Sequence, residues 1–238
     1  MESVKGKHIL IAGATGGIGA ETARLLAQSG AIIYLAGRKA EKILSLAEAC
    51  QVSSDRVFLA DLSKETEVAA MAEKIHALVP RIDILVNAAG AGVIKPFDQL
   101  SLNDLYQMID ANLVSSFNLV KAFLPGMKEA KKGLIINIPG ILGKTPMSGA
   151  AAYCAAKYGL VGMMQSIREE VKRTDIRITN LFLGGVDSPF WDTIDLRVQR
   201  DKMIVATEAA RAIWFLCQQP VSGVVNEMVL QPFNHQAI

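Results

Sequence analysis

Ile9-Leu10-Ile11-Ala12-Gly13-Ala14-Thr15-Gly16-Gly17-Ile18-Gly19 is the stretch from which the rest of the chain is read. Four apolar residues make a short strand, glycines crowd the next seven positions, and an apolar helical pattern with Ala23, Leu25 and Leu26 follows at once. Glycine is needed where a chain turns sharply and where a phosphate must approach main-chain nitrogen. A helix N-terminus adds partial positive charge at the same point. The spacing is G-x-x-x-G-x-G rather than the commoner G-x-G-x-x-G. Such a loop alone is also a tight turn. Its place after the first strand assigns Gly13, Thr15, Gly17, Ile18 and Gly19 to a dinucleotide cradle.

Outward from this loop, short apolar runs alternate with helical patterns. Strands are predicted at 8–12, 32–36, 57–60, 82–86, 134–138, 177–183 and 224–230. Helices are predicted at 18–28, 40–49, 64–78, 102–128, 151–172 and 208–218. Strands apolar on both faces, alternating with helices, imply βαβ units and an α/β fold: a doubly wound parallel sheet with helices on both faces. Pro125 falls inside the fourth helical stretch and is expected to bend or end it. No repeat, linker or low-complexity segment appears, so a single domain over 1–238 is expected. The least regular segment, 187–204, follows the sixth strand on the edge where such sheets bind ligands. It reads as a substrate lid or as a plain surface connection.

Composition narrows the functional classes. Hydrophobic residues make up 51% and aromatics 6%, so Ala, Gly, Val, Ile and Leu carry the apolar load, which suits a sheet covered on both sides. A net charge of +2 with scattered basic residues gives no electrostatic case for nucleic acid or an anionic membrane. No apolar stretch reaches the roughly 20 residues of a membrane span; Asp83 and Asn87 interrupt the best run and Lys157 the next. The first six residues lack the apolar core of a signal peptide. Cys50, Cys154 and Cys217 have no metal-ligand or redox spacing, and His8, His76 and His235 do not cluster. A reduced, cytoplasmic protein without a structural metal is the expectation.

The second strand ends Leu35-Ala36-Gly37-Arg38. A carboxylate here would bond the adenosine ribose hydroxyls and repel a 2′-phosphate, whereas an arginine would attract one. Gly37 followed by Arg38 and Lys39 therefore favours NADP(H) over NAD(H); otherwise Arg38 is a solvated charge at a helix start. Asp61, just past the third strand, is placed to accept from an adenine amino group or to sit near the start of the next helix. Tyr153 and Lys157, four residues apart, share a helix face. An ammonium beside a phenol favours the phenolate, and is expected to lower the tyrosine pKa from about 10 toward the working range.

Taken together, these segments resemble the short-chain dehydrogenase/reductase family over nearly the whole chain. The matching blocks are Gly13–Gly19, Asp61-Leu62, Asn87-Ala88-Ala89-Gly90, Asn112 within Asp110-Ala111-Asn112-Leu113, Tyr153–Lys157 and Gly185-Val186-Asp187-Ser188. The resemblance implies a single-domain Rossmann-type fold with a seven-stranded parallel sheet. It makes Tyr153 the general acid or base, and Lys157 both its pKa modifier and a ribose ligand. Asn112 would hold a water in a proton relay, and Asn87 and Gly90 would support the sheet beside the cofactor. The Val186 backbone and the Ser188 hydroxyl would orient the nicotinamide carboxamide.

The sequence departs from that pattern in two places. Gly140 stands thirteen residues before the tyrosine, where the family usually carries a serine that donates to the substrate oxygen. Loss of one such donor typically costs about 10²–10³ in turnover. Thr145, Ser148, a backbone N–H near Gly140 or a water would be the replacements. Gly184 replaces a proline, which is expected to loosen the loop gripping the nicotinamide. The tail Asn226-Glu227-Met228-Val229-Leu230-Gln231-Pro232 is similar to that of members acting on small hydroxy acids and related alcohols. Phe97, Met147, Phe190 and Trp191 are candidate pocket residues. In the family the long fourth and fifth helices pair across a two-fold axis, so a homodimer or homotetramer is expected. Two functions follow: an NADP(H)-dependent oxidoreductase acting on a small-molecule carbonyl or secondary alcohol, or a catalytically impaired NADP(H)-binding regulatory or scaffolding protein.

Overall fold

Ile9 and Ile11 point to one face of the first strand, and Leu10 and Ala12 to the other, as the two-residue period of a strand requires. That division organises the molecule. The computed structural model describes residues 2–220 and 222–233; His235 lies outside them. β1 (His8–Ala12), β2 (Ile32–Gly37), β3 (Val57–Leu59), β4 (Ile84–Asn87), β5 (Lys132–Asn137) and β6 (Asp175–Leu183) follow one another in the chain. The two-residue strands β7 (Val186–Asp187) and β8 (Ile204–Val205) pair with each other, and β9 (Glu227–Leu230) completes the main sheet. That sheet has seven parallel strands in the order β3-β2-β1-β4-β5-β6-β9.

Helices cover both faces. Ile9 and Ile11 pack with Leu26 of α1 (Gly17–Gln28), Ile43 of α2 (Ala40–Ala49) and Ile213 of α7 (Ala206–Leu216). Leu10 and Ala12 pack with Met71 of α3 (Glu65–Leu78), Phe123 of α5 (Ser115–Glu129) and Met164 of α6 (Ala151–Val171). The strand order reverses between β1 and β4. Chains leave the sheet in opposite directions there, opening a crevice at the carboxyl ends of the strands.

The predicted helix at 102–128 is in fact two: α4 (Leu102–Ile109) and α5, joined by a π turn over Asp110–Val114. Pro125 does not end the second one, which runs on to Glu129. A proline inside a helix costs about 3 kcal/mol. Phe123, Leu124 and Met127 around it are buried, each contributing roughly 1.5–3 kcal/mol, and this offsets the cost. The last strand begins at Glu227 rather than at 224. Segment 187–204 runs from β7 to β8 and holds two short 3-10 turns, Pro189–Thr193 and Arg200–Lys202. No helix among the described residues is long and apolar enough to cross a membrane.

Candidate active site

A cleft of about 720 Å³ lies over the carboxyl ends of the strands, with the glycine loop near its middle and Tyr153 and Lys157 toward one end. Its floor is closed by main-chain packing that only glycine permits. A Cβ on Gly13 would lie 2.6 Å from the Ala89 nitrogen, and one on Gly19 would lie 2.3 Å from the Gly13 carbonyl oxygen. The loop thus presents bare backbone at the N-terminus of α1. Thr15, Gly17 and Ile18 line the cleft beside it, and Gly37 abuts the Thr15 side chain.

Arg38, Lys39, Lys42 and Lys64 gather at the far end of the cleft with Asp61 and Leu62. Asp61 accepts from the Ser63 N–H at 3.1 Å and from its hydroxyl at 2.8 Å. Partial burial pushes this carboxyl up, but the two Ser63 hydrogen bonds and the Arg38 charge outweigh it and hold the pKa below the usual range. Leu62 is buried, and its carbonyl accepts from Asn118 Nδ2 at 3.0 Å. Lys42 and Lys64 were not singled out from the sequence. Lys42 lies in the first turn of α2 just after Arg38 and Lys39, and three basic residues within 38–42 could have flagged it.

At the Tyr153 end, Lys157 is buried to 3% exposure, and its Nζ donates to the Ile138 carbonyl at 3.2 Å. Burial pushes its pKa down to about 8. The ammonium nitrogen lies 5.5 Å from the centre of the Tyr153 ring. The tyrosine pKa moves opposite to expectation: burial raises it, and Cys154 adds to the rise. Desolvation of the phenolate is the dominant cause.

Asn112 sits inside the π turn and is fully buried. Its Nδ2 donates to the Met108 and Ala91 carbonyls, each at 2.9 Å, and its Oδ1 accepts from the Ala91 N–H at 3.3 Å. A Cβ on Gly90 would lie 2.7 Å from Asn112 Oδ1 and 3.3 Å from Lys157 Nζ, so Gly90, Asn112 and Lys157 converge on one point. Asn87 holds β4 to its neighbours: Nδ2 donates to Ser116 Oγ at 2.7 Å and to Asn137 Oδ1 at 3.3 Å. A glycine-floored cleft with cations at one end and a lysine–tyrosine pair at the other fits a phosphorylated dinucleotide.

The profile of the short chain dehydrogenases matches residues 7–198. The chain belongs to the short-chain dehydrogenase/reductase family. It is 31% identical to an uncharacterized oxidoreductase of Staphylococcus saprophyticus over 98% of both chains. A metagenomic short-chain oxidoreductase in complex with NADP superposes with a TM-score of 0.83 at 30% identity, covering 98% of this chain and 100% of that one. An alcohol dehydrogenase from Thermococcus sibiricus, complexed with 5-hydroxy-NADP, gives 0.85 at 26% identity over 98% of each.

Both departures of this short-chain dehydrogenase/reductase have a structural basis. Gly140 has φ 70° and ψ 173°, a backbone state populated almost only by glycine. A Cβ there would meet only the Leu183 carbonyl oxygen, at 3.6 Å, so conformation rather than space selects glycine. Gly184 does not loosen its loop. Its N–H donates to the Leu230 carbonyl at 2.8 Å, a bond that a proline cannot make. A Cβ there would lie 2.6 Å from Pro232 Cδ, so the tail proline occupies the space.

The remaining sequence-derived positions are spread more widely. Ser188 and Phe190 line the cleft, whereas Thr145 and Ser148 are exposed outside its lining. Val186 is buried, and its carbonyl accepts from Trp191 Nε1 at 3.0 Å, so Trp191 packs back against the start of its own segment. Phe97 is 79% exposed and lies outside the cleft lining, as does Met147.

Proposed function

We propose that this protein is an NADP(H)-dependent oxidoreductase acting on a small-molecule carbonyl or secondary alcohol. The meeting of Tyr153, Lys157 and Gly90 in the lining of a glycine-floored cleft, with Asn112 buried directly behind Gly90, carries this reading. NADP(H), when bound, supplies or accepts the hydride. Tyr153 gives or takes the proton at the substrate oxygen through its hydroxyl. Lys157, held by the Ile138 carbonyl, keeps positive charge beside that phenol and bonds the ribose; Asn112, buried behind Gly90, fixes the backbone of residue 91. Gly13, Thr15, Gly17, Ile18 and Gly19 cradle the pyrophosphate, Asn87 supports the strand end below it, and Asp61 and Leu62 border the adenine. Val186 and Ser188 orient the carboxamide.

The gathering of Arg38, Lys39, Lys42 and Lys64 supports NADP(H) over NAD(H), because a 2′-phosphate adds negative charge at that end. Two structural relatives, solved in complex with NADP and with 5-hydroxy-NADP, agree with it. The three free cysteines suit a reducing compartment, the cytoplasm. The half-exposed Phe117 beside Val120, Leu124, Pro125 and Ile167 forms an apolar groove that a second copy of the chain would cover in a homodimer or homotetramer.

A panel of ketones and aldehydes with NADPH and with NADH tests the reading. The expected result is turnover that favours NADPH and falls at least about 100-fold in Tyr153→Phe. Tight NADPH binding with no turnover above the Tyr153→Phe level on any substrate would instead support the impaired binding protein, to which the glycine-only backbone of Gly140 points.

A further inference from the structure

Segment 187–204 enters the cleft lining through Ser188, Pro189 and Phe190 and is seated on a glycine at two separate places. A Cβ on Gly17, in the glycine loop, would lie 2.7 Å from Ser188 Cβ and 3.1 Å from Pro189 Cδ. One on Gly92, past β4, would lie 2.3 Å from Phe190 Cζ and 3.2 Å from Ile194 Cδ1. The segment therefore closes directly onto both loops. Beside these seats the Phe190 ring packs against the Tyr153 ring, centres 5.9 Å apart and planes tilted by 47°. Trp191 meets Phe190 edge-on at 5.2 Å and is itself anchored on the Val186 carbonyl. Rings at such separations are in packed contact, and each restricts where the other can go.

One guanidinium ties the segment together. Arg200 Nε donates to Asp187 Oδ1 at 2.7 Å, Nη1 to Asp192 Oδ1 at 2.8 Å, and Nη2 to the Ser188 carbonyl at 2.6 Å. Two of these acceptors precede Phe190 and one follows it, so the arginine spans the turn that carries the ring. A planar fork meets three acceptors at fixed angles, whereas a lysine ammonium is a point charge on a flexible stem. Neither the glycine seats nor this fork is visible in the hydrophobic pattern of the segment.

We infer that Arg200 is a positioning residue that locks 187–200 as one unit, and that this unit presents Phe190 as the wall setting the size of carbonyl compound admitted to Tyr153. Small aliphatic ketones, aldehydes and hydroxy compounds pass; bulky aryl ones are turned away. The inference rests on the oxidoreductase reading, since admission is counted at the Tyr153 hydroxyl. Excluding the larger compound takes a steric wall, and a wall works only if it is held in place.

Butan-2-one and 4-phenylbutan-2-one present the same reacting end and differ by a phenyl group. With NADPH, Phe190→Ala raises the kcat/KM ratio of the phenyl ketone to butan-2-one by about 10-fold or more. Arg200→Ala raises the ratio in the same direction, and Arg200→Lys less. The double variant goes no further than Phe190→Ala alone, because the arginine acts through the ring. A merely structural role for Arg200 would lower both ketones alike and leave the ratio unmoved. Independently of turnover, trypsin cuts after the exposed Arg197 faster in Arg200→Ala than in the wild type. A ratio unchanged within twofold in Phe190→Ala, multiplying effects in the double variant, or equal cleavage after Arg197 overturns the inference. If the wild type reduces no carbonyl compound at all, the oxidoreductase reading falls and the size wall with it, while cleavage after Arg197 still decides for or against the lock.

Discussion

Gly140 shows how one residue can combine a chemical loss with a backbone gain. At φ 70° and ψ 173° a side chain is strained, at a cost of about 1–3 kcal/mol. Restoring the family serine therefore does not simply add a hydroxyl. Gly140→Ser and Gly140→Ala are expected to lose stability equally, by that amount, in urea denaturation. Their kcat values should agree within about threefold, because the nearest atom to the new Cβ is the Leu183 carbonyl oxygen and no atom of Tyr153 lies within 4 Å of it. A serine variant faster than the alanine variant by the 10²–10³ of an oxyanion donor would show that the backbone relaxes and the lost group returns to its place. The sequence made the missing hydroxyl plain, since it needs only a position and a residue type. The positive φ was hidden, because a glycine letter does not say which of its many conformations it uses.

Among elements, the break between α4 and α5 shapes the site most. A π turn adds one residue to a helical turn, slips the hydrophobic phase and leaves carbonyls short of partners. Ser115 and Ser116 hydroxyls donate to the Ala111 and Asn112 carbonyls at 2.8 Å, and Asn112 Nδ2 takes the Met108 carbonyl. Asn112→Ala removes that bond, leaving the buried Met108 carbonyl bare at about 1–3 kcal/mol, and also two bonds to the partly buried residue 91, each worth about 0.5–1.5 kcal/mol. Ser101→Ala, at the other end of α4, removes the capping box with Asp104 and costs about 1 kcal/mol. Thermal or urea unfolding should therefore rank Asn112→Ala below Ser101→Ala by at least about 1 kcal/mol, and the reverse order would contradict this account of the turn. The sequence placed β1 and α2 without error and most other ends within two residues, because period-2 and period-3.6 patterns last long enough there to read. It missed the π turn, which changes phase by a single residue, and β7 and β8, whose two residues carry no period.

Across the whole molecule, apolar clusters on either face of the sheet flank a row of polar groups near the strand ends. Asn87, Asn137 and Asn180 stand in register on β4, β5 and β6. The glycine loop announced the strand-end cleft, and βαβ alternation announced the sheet. The cross-strand row was not legible, because register between distant segments leaves no mark on either segment alone. Lys157 is the charged member of this buried layer, and its burial links the site to overall stability. Its folded pKa of about 8 lies below the 10.5 of the exposed side chain. Below pH 8 the group is protonated in folded and unfolded chains alike, and the full cost of a buried ammonium is present. Between pH 8 and 10.5 the unfolded chain holds more protons, so stability rises with pH, by about 3 kcal/mol over the window. That is a large share of the 5–15 kcal/mol of a typical domain. Lys157→Met removes the titration and keeps the stem. The difference in unfolding free energy between wild type and this variant should be flat below pH 8 and move in favour of the wild type from pH 8 to 10.5. Parallel pH curves for the two proteins would place the ammonium in contact with solvent and remove it from the buried layer.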